Sequence, residues 1–253
     1  PVLDLTGNGI TLEAWVQHEV TSNPPAGHSI QPFYGILNHK GWYDGYSIWV
    51  HGDHWLCPTR EPMCIQFNLP GKTHQLNTRT TLTGGQWHHV VGAYDGTSMA
   101  VFIDGQVDPN MVAKSDAITP TNTGEKDVWI GQGDMPTDVP WSSEWAGQID
   151  EVRISKIGRS DSWIRTEYNN QNSPSTFFSI GSEEASPCGS TPSPPPWNPC
   201  SWSYRKKITI DKTKVTGSQS DFPVLINLSS DTGLRDHAQS DGDDIVFTTS
   251  DGT

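Results

Sequence analysis

The chain has 253 residues, with 24 glycines, 19 prolines and only 33% hydrophobic residues. Against roughly 150 residues per domain, that is one large or two smaller domains with room for a sizeable core, built from short elements joined by turns. The 16 Lys and Arg against 29 Asp and Glu give a formal charge of −13, which repels phosphate backbones and anionic membrane surfaces. Nucleic acid is therefore not expected as a partner. No apolar run approaches the ~20 residues of a membrane span, so no membrane insertion is expected either.

In chain order, strands are expected over residues 11–18, 33–38, 46–51 and 63–68. A meander follows: residues 86–94, a turn at Asp95-Gly96, residues 98–103 and a turn at Asp104-Gly105, with Asp-Gly the strongest short-range hairpin signal. In the middle strand Met99, Val101 and Ile103 alternate with Ala100 and Phe102, so both faces are apolar and the strand is central. Further strands are expected over 128–131, 147–155 and 176–180. The one helix expected is 160–170, with Ser160 as cap and Trp163, Ile164 and Tyr168 as its apolar stripe. Trp15, Trp49, Trp87 and Trp129 are expected in the core. So many short strands with so little helical periodicity predict an all-β fold, an antiparallel β-sandwich or jelly roll.

Residues 186–202 hold a dense run of prolines and predict an extended, semi-rigid linker whose Ser and Thr are also O-glycan acceptors by composition. Strands are expected beyond it at 203–211, 222–228 and 244–249. Three strands form a sheet that is marginal alone. The domain reading is 1–185, a linker over 186–202, and 203–253 as a partial second β domain, incomplete unless another chain completes it.

The four cysteines fall into two local pairs, Cys57/Cys64 and Cys188/Cys200, without a Cys-x-x-Cys. Two short-range disulfides in an oxidising compartment are expected, with reduced, buried thiols as the alternative. A Cys188–Cys200 bridge would close the linker into a loop. His51-Gly52-Asp53-His54 makes only a weak zinc pattern, and Cys57 nearby is better used in a disulfide. Asn227-Leu228-Ser229 is the single N-glycosylation acceptor. Trp42, Tyr43, Trp55, Trp141 and Trp145 have Gly, Asp, Pro or Ser nearby and are expected to be exposed, where rings stack on the apolar face of a pyranose. The opposing reading is that aromatics alternating along a sandwich mostly fill its core.

Five segments in order, Thr11-Leu12-Glu13-Ala14-Trp15-Val16, Trp87 to Gly96, Val101-Phe102-Ile103-Asp104-Gly105, Trp129-Ile130-Gly131 and Gly147 to Ser155, together resemble a laminin-G-like, concanavalin A-type jelly-roll module over about residues 1–182. Residues 162–171 and 178–181 resemble its exit helix and closing strand. Residues 202–253, with Trp202-Ser203-Tyr204-Arg205-Lys206-Lys207 and Asp221 to Ile226, resemble the opening part of a domain of unknown function found beside such modules in secreted and surface proteins of bacteria and archaea. Relative to the family, a first strand ahead of Leu3 is expected to be missing.

The resemblance implies a calcium site built on Asp150, with further oxygens from Asp4, Gly7 or Asn8. The alternative is that Asp150 accepts backbone hydrogen bonds at a turn. Related jelly rolls that hydrolyse β-glucans carry a Glu-x-Asp-x-(x)-Glu strand; that spacing, a Gly-x-Ser-x-Gly elbow and a P-loop are all missing from the sequence, so no catalytic residues are expected. The function expected is a non-enzymatic extracellular adhesion or structural module. It would be secreted or on the cell surface, with carbohydrate as ligand and self-association into a fibre completed by neighbouring strands. The competing reading is a carbohydrate-binding appendage of a secreted polysaccharide-degrading enzyme.

Overall fold

A computed structural model describes residues 3, 5–19, 33–39, 44–51, 57–59, 63–70, 74–119, 127–132, 144–185, 204–243 and 245–248. The chain divides into two compact units, Pro1–Tyr168 and Asn169–Thr253.

The first unit is an antiparallel sandwich. Its strands are β1 (Ile10–His18), β2 (Phe33–His39), β3 (Ser47–His51), β4 (Cys64–Asn68), β5 (Gln75–Thr81), β6 (Trp87–Tyr94), β7 (Ser98–Ile103), β8 (Gln106–Val107), β9 (Val112–Ala113), β10 (Val128–Ile130) and β11 (Gly147–Ser155). One sheet runs β11-β1-β6-β7-β8, with β9 also on β7, and the other runs β10-β2-β3-β4-β5. Alternation decides which side chains meet between them. From the first sheet come Ile10, Leu12, Ala14 and Val16 with Val90, Tyr94, Met99, Val101 and Ile103. The second sheet supplies Ile36, Leu37, Ile48, Val50, Ile65, Phe67 and Leu76. Gly92 lets the two layers close: a Cβ there would stand 2.7 Å from the Phe67 ring.

Eight of the strands expected in the first unit appear within about two residues of their predicted ends, as does the helix, α1 (Asp161–Asn172). Ser160 caps it, its Oγ accepting from Trp163 N at 3.3 Å. In the first unit α1 lies on the outward face of the six-stranded sheet. Ile164 is fully buried, and Tyr168 stacks on Trp15 at 5.8 Å. Beneath it the Arg153 guanidinium donates to Glu13 at 2.8 Å and also to Glu167. Burial, reinforced by the neighbouring Glu167, raises the Glu13 carboxyl to about 8. His89, buried beside Arg153, is pushed down to about 4, mainly by loss of solvent.

Strand β5 was not expected from the sequence, because Leu76 is the only strongly apolar residue in QLNTRTT. Two polar anchors hold it. The Thr78 hydroxyl accepts from Ile65 N at 2.9 Å, and the Asp108 carboxylate accepts from the Arg79 and Thr80 amides.

In the second unit the strand expected at 176–180 starts later. Residues Pro174–Phe177 make a short helical turn, α2, with Pro at its start and Phe177 buried. Strand β12 (Phe178–Ala185) then pairs antiparallel with β13 (Tyr204–Ile210). The strands expected at 222–228 and 244–249 do not form among the described residues. Instead Asn170 takes the place of a ladder partner: its Oδ1 accepts from Leu225 N at 2.6 Å and its Nδ2 donates to Leu225 O at 3.1 Å. Pro223 removes another donor. A helix absent from the sequence reading, α3 (Thr232–His237), is capped by Asp231, which accepts from Leu234 N.

Candidate functional site

Register places one row of side chains across the whole five-stranded sheet. Trp129 on β10 stands opposite Asn38 on β2, Asn38 opposite Ser47 on β3, Ser47 opposite Asn68 on β4, and Asn68 opposite Gln75 on β5. Directly opposed residues share a face. Because Ile48, Phe67 and Leu76 point into the core, this row points away from it. One step along the strands, Trp49, Gln66 and Asn77 form a second row on the same face.

The centre of this surface is a connected polar network. The Trp49 indole donates to Ser47 Oγ at 2.6 Å, and Asn68 Nδ2 donates to the same hydroxyl at 3.0 Å. Asn68 Nδ2 also reaches Gln66 Oε1 at 3.3 Å. Not every group is satisfied. Asn38 is fully buried with neither amide atom hydrogen-bonded, and Asn68 Oδ1 and Gln75 Nε2 lack partners as well. Buried amides are nearly always paired in folded proteins, so the unpaired Asn38 costs stability where it stands. Both ends of the row are more open: Gln75 is half-buried, and Trp129 is 41% exposed at the sheet edge. The surface thus combines amides, a hydroxyl and a neutral indole, a set that both donates to and accepts from hydroxyl groups. None of the eight residues in the two rows carries a charge.

Of the aromatics expected to be exposed, Trp42, Tyr43, Trp55 and Trp141 lie outside the described residues. Trp145 is half-buried against the core, with its indole edge-on to His18 at 5.0 Å, because it sits just before β11 where the two sheets meet. Trp87 and Trp129, expected in the core, are instead 39% and 41% exposed. Each stands on an outward-facing position near a strand end. Trp15 is half-buried beneath Tyr168, and Trp49, though buried, faces the polar rows. The alternating polar positions Ser47-x-Trp49, Gln66-x-Asn68 and Gln75-x-Asn77 were the sequence signal for this surface, visible only once the three strands are taken side by side.

Of the implied calcium ligands, Asp150 does not stand beside Gly7 and Asn8. Asp150 is exposed opposite Trp15, accepting from Glu151 N at 2.8 Å. Gly7 and Asn8 precede the other end of β1, where Gly7 bridges to Ile118 and Thr11 pairs with Ser155. Seven residues of extended chain separate Asn8 from Trp15, roughly 23 Å, too far for one ion. Asp4 lies outside the described residues, among which no three His, Cys, Asp or Glu side chains gather to hold a metal.

Cys57 and Cys64 are joined as a disulfide, tying the loop before β4 to the strand. Cys188 and Cys200 lie outside the described residues. Asn227 is exposed in irregular chain. No helix among the described residues is long and apolar enough to cross a membrane.

Residues 1–165 match the family described as Concanavalin A-like lectin/glucanases superfamily. The chain belongs to this superfamily. Parts of several solved structures are similar to this chain. A heptameric SAP-like pentraxin from Limulus polyphemus is 14% identical over 65% of this chain and 71% of that one, with a TM-score of 0.44. Domain 4 of an extracellular arabinanase from Geobacillus stearothermophilus, in complex with arabinotriose, is 18% identical over 62% of this chain and 65% of that one, at 0.39. A Bacteroides ovatus protein is 14% identical at 0.42, and the match spans 62% of this chain but 39% of that protein. No curated protein matches the sequence of this concanavalin A-like chain.

Proposed function

We propose that the chain is a non-enzymatic, extracellular carbohydrate-binding module whose ligand is held on the outward face of the five-stranded sheet. The observation that carries this reading is the Trp129 ring, 41% exposed at the sheet edge at the end of a charge-free polar row through Asn38, Ser47, Asn68 and Gln75. The exposed Trp129 ring stacks on a sugar face, and the buried amides and hydroxyl behind it hold the strand register that places the ring. A disulfide within the sandwich and membership of a lectin-containing superfamily agree with a secreted, sugar-facing role.

Titration with neutral β-linked gluco-, xylo- and mannohexaose, followed by calorimetry and tryptophan fluorescence, tests it. Trp129→Ala is expected to weaken binding at least tenfold. Asn38→Leu is expected to raise the melting temperature, because it removes an unpaired buried amide without emptying space. A Trp129→Ala protein that binds as before overturns the assignment.

A second reading, adhesion through self-association, draws on the second unit. Ile208, Ile210, Phe222, Val224, Ile226 and Phe247 line an open apolar cavity of about 300 Å³, and among the described residues β12 and β13 pair only with each other. A two-stranded sheet is marginal alone, and its edges accept a further strand. Sedimentation velocity separates the two: large regular particles support assembly, whereas a monomer near 27.8 kDa leaves sugar binding as the function.

A further inference from the structure

The six-stranded sheet has an outward face of its own, and α1 covers only part of it. On β1 the core takes Ile10, Leu12, Ala14 and Val16, so Thr11, Glu13, Trp15 and Gln17 point the other way. Tyr168 of α1 stacks over Trp15. One step further along the strands, Gln148 on β11 stands opposite Gln17 on β1, and Gln17 opposite Trp87 on β6. Gln148 is exposed, Gln17 half-buried and Trp87 39% exposed.

This second row is held in place. The turn ahead of Trp87 is tied to β1 twice: Gly85 N donates to His18 O at 2.8 Å, and Gln17 Nε2 donates to Gly85 O at 3.0 Å. Gly85 can make both bonds because it adopts φ +72°, a conformation other residues rarely take. The Gln17 amide and the Trp87 backbone are therefore fixed before any ligand arrives, the condition under which a binding surface loses least entropy on binding. In the neighbouring row Asp150 is exposed opposite Trp15. Two amides, an exposed indole and a carboxylate acceptor thus lie within two strand spacings, roughly 10 Å. Arg153, further along β11, is already engaged by Glu13, Glu151 and Glu167.

We propose that Trp87, Gln17 and Gln148, with Asp150 beside them, form a second saccharide platform, so that one sandwich holds two glycan chains on opposite sides. The ligand class is a neutral glycan: the set offers hydroxyl donors and acceptors around a stacking ring, and its only charge, like the net charge of −13, disfavours acidic sugars. The two platforms share no residue, so this one stands or falls separately from the surface on the five-stranded sheet. Their opposite directions turn a binding module into a cross-linker without any oligomerisation, through the geometry that underlies multivalent binding.

The test is the stoichiometry of hexaose binding to the full chain. Two sites per chain are expected for the wild type, one for Trp87→Ala, one for Trp129→Ala and none for the double variant. Gln148→Ala, at an exposed position that leaves folding untouched, is expected to weaken the second site at least threefold. The wild type is expected to precipitate the matching long polysaccharide, whereas either single variant binds without precipitating it. A single site lost in Trp129→Ala and unchanged in Trp87→Ala overturns the second platform and leaves the first standing. A single site with the reverse pattern supports this platform and removes the first. No binding of any of the three hexaoses to the wild type overturns both.

Discussion

Two stretches of this chain carry the same alternating apolar signal and meet different fates. In β3 and β4, Ile48, Val50, Ile65 and Phe67 are buried to within about 1% of their surface. In residues 222–228, Val224 is 36% and Leu228 is 37% exposed, and Phe247 further on is 67% exposed. The residue types hardly differ. What differs is the opposite layer: β3 and β4 face Val90, Val101 and Tyr94 across the sandwich, while residues 222–228 line an open cavity. Alternation specifies a face, and burial needs a second sheet to receive it.

The sharpest way to break that contrast is at the two ends of the exposure scale. Phe67→Ala is expected to destabilise the first unit by about 3–5 kcal/mol through lost burial and a residual cavity, and Phe247→Ala by less than about 1 kcal/mol, both read from denaturant midpoints. Equal losses would mean that the second unit is as well packed as the first.

Next in size is the disulfide. Replacing Cys57 and Cys64 by Ser is expected to lower the stability of the first unit by about 2.5 kcal/mol, from the entropy of an eight-residue closed loop. Residues 204–248 should keep their hydrogen-exchange pattern unchanged.

A pH titration sharpens the contrast from the side of the helix clamp. The folded Glu13 carboxyl lies near 8 against 4.5 when unfolded, so the folded state holds an extra proton between those values. This contribution is complete below about 4.5 and is lost as the pH rises towards 8. His89 acts in the opposite direction, adding stability as the pH rises from about 4 to its ordinary 6.5. Above pH 6.5 the Glu13 contribution falls, on the order of 2 kcal/mol by pH 8, and His88, held above its ordinary value by its hydrogen bond to Asp104, loses stability in the same direction. Glu13→Gln should make that stretch of the curve shallower, leaving the His88 part; an unchanged slope would assign it to His88.

The smallest effect expected is at the helix start. Ser160→Ala removes the Oγ acceptor for Trp163 N and should cost about 1 kcal/mol, measured as a shift in the first unit's midpoint.

The signals legible in the sequence were the local ones. Alternation and the Asp-Gly turns marked β6 and β7, and Ser160 with the Trp163, Ile164 stripe marked α1, because hairpins and capped helices are decided by residues near in sequence. The segments resembling a jelly roll identified the sandwich for the same reason, each being a strand with its turn. The second unit was harder to read, since Asn170 replaces a ladder partner 55 residues away, a choice no local pattern announces.

Position on a face was beyond the sequence. Trp87 and Trp129 sit in strands as hydrophobic as any other, yet both point outward, because the register of their neighbours sends Val90 and Val128 to the core side. The row from Trp129 to Gln75 exists only because four strand pairings bring five separate segments into line. By the same rule Asp150 and Asn8, grouped as one calcium site from sequence, stand at opposite ends of β1. The amino-acid sequence alone determined most strands of the first unit, the Asp-Gly turns between them and the family of the fold, but not β5 or the second unit. Pairing register and the facing of the two sheets, which depend on contacts far apart in the chain, decided which amides and indoles share a surface.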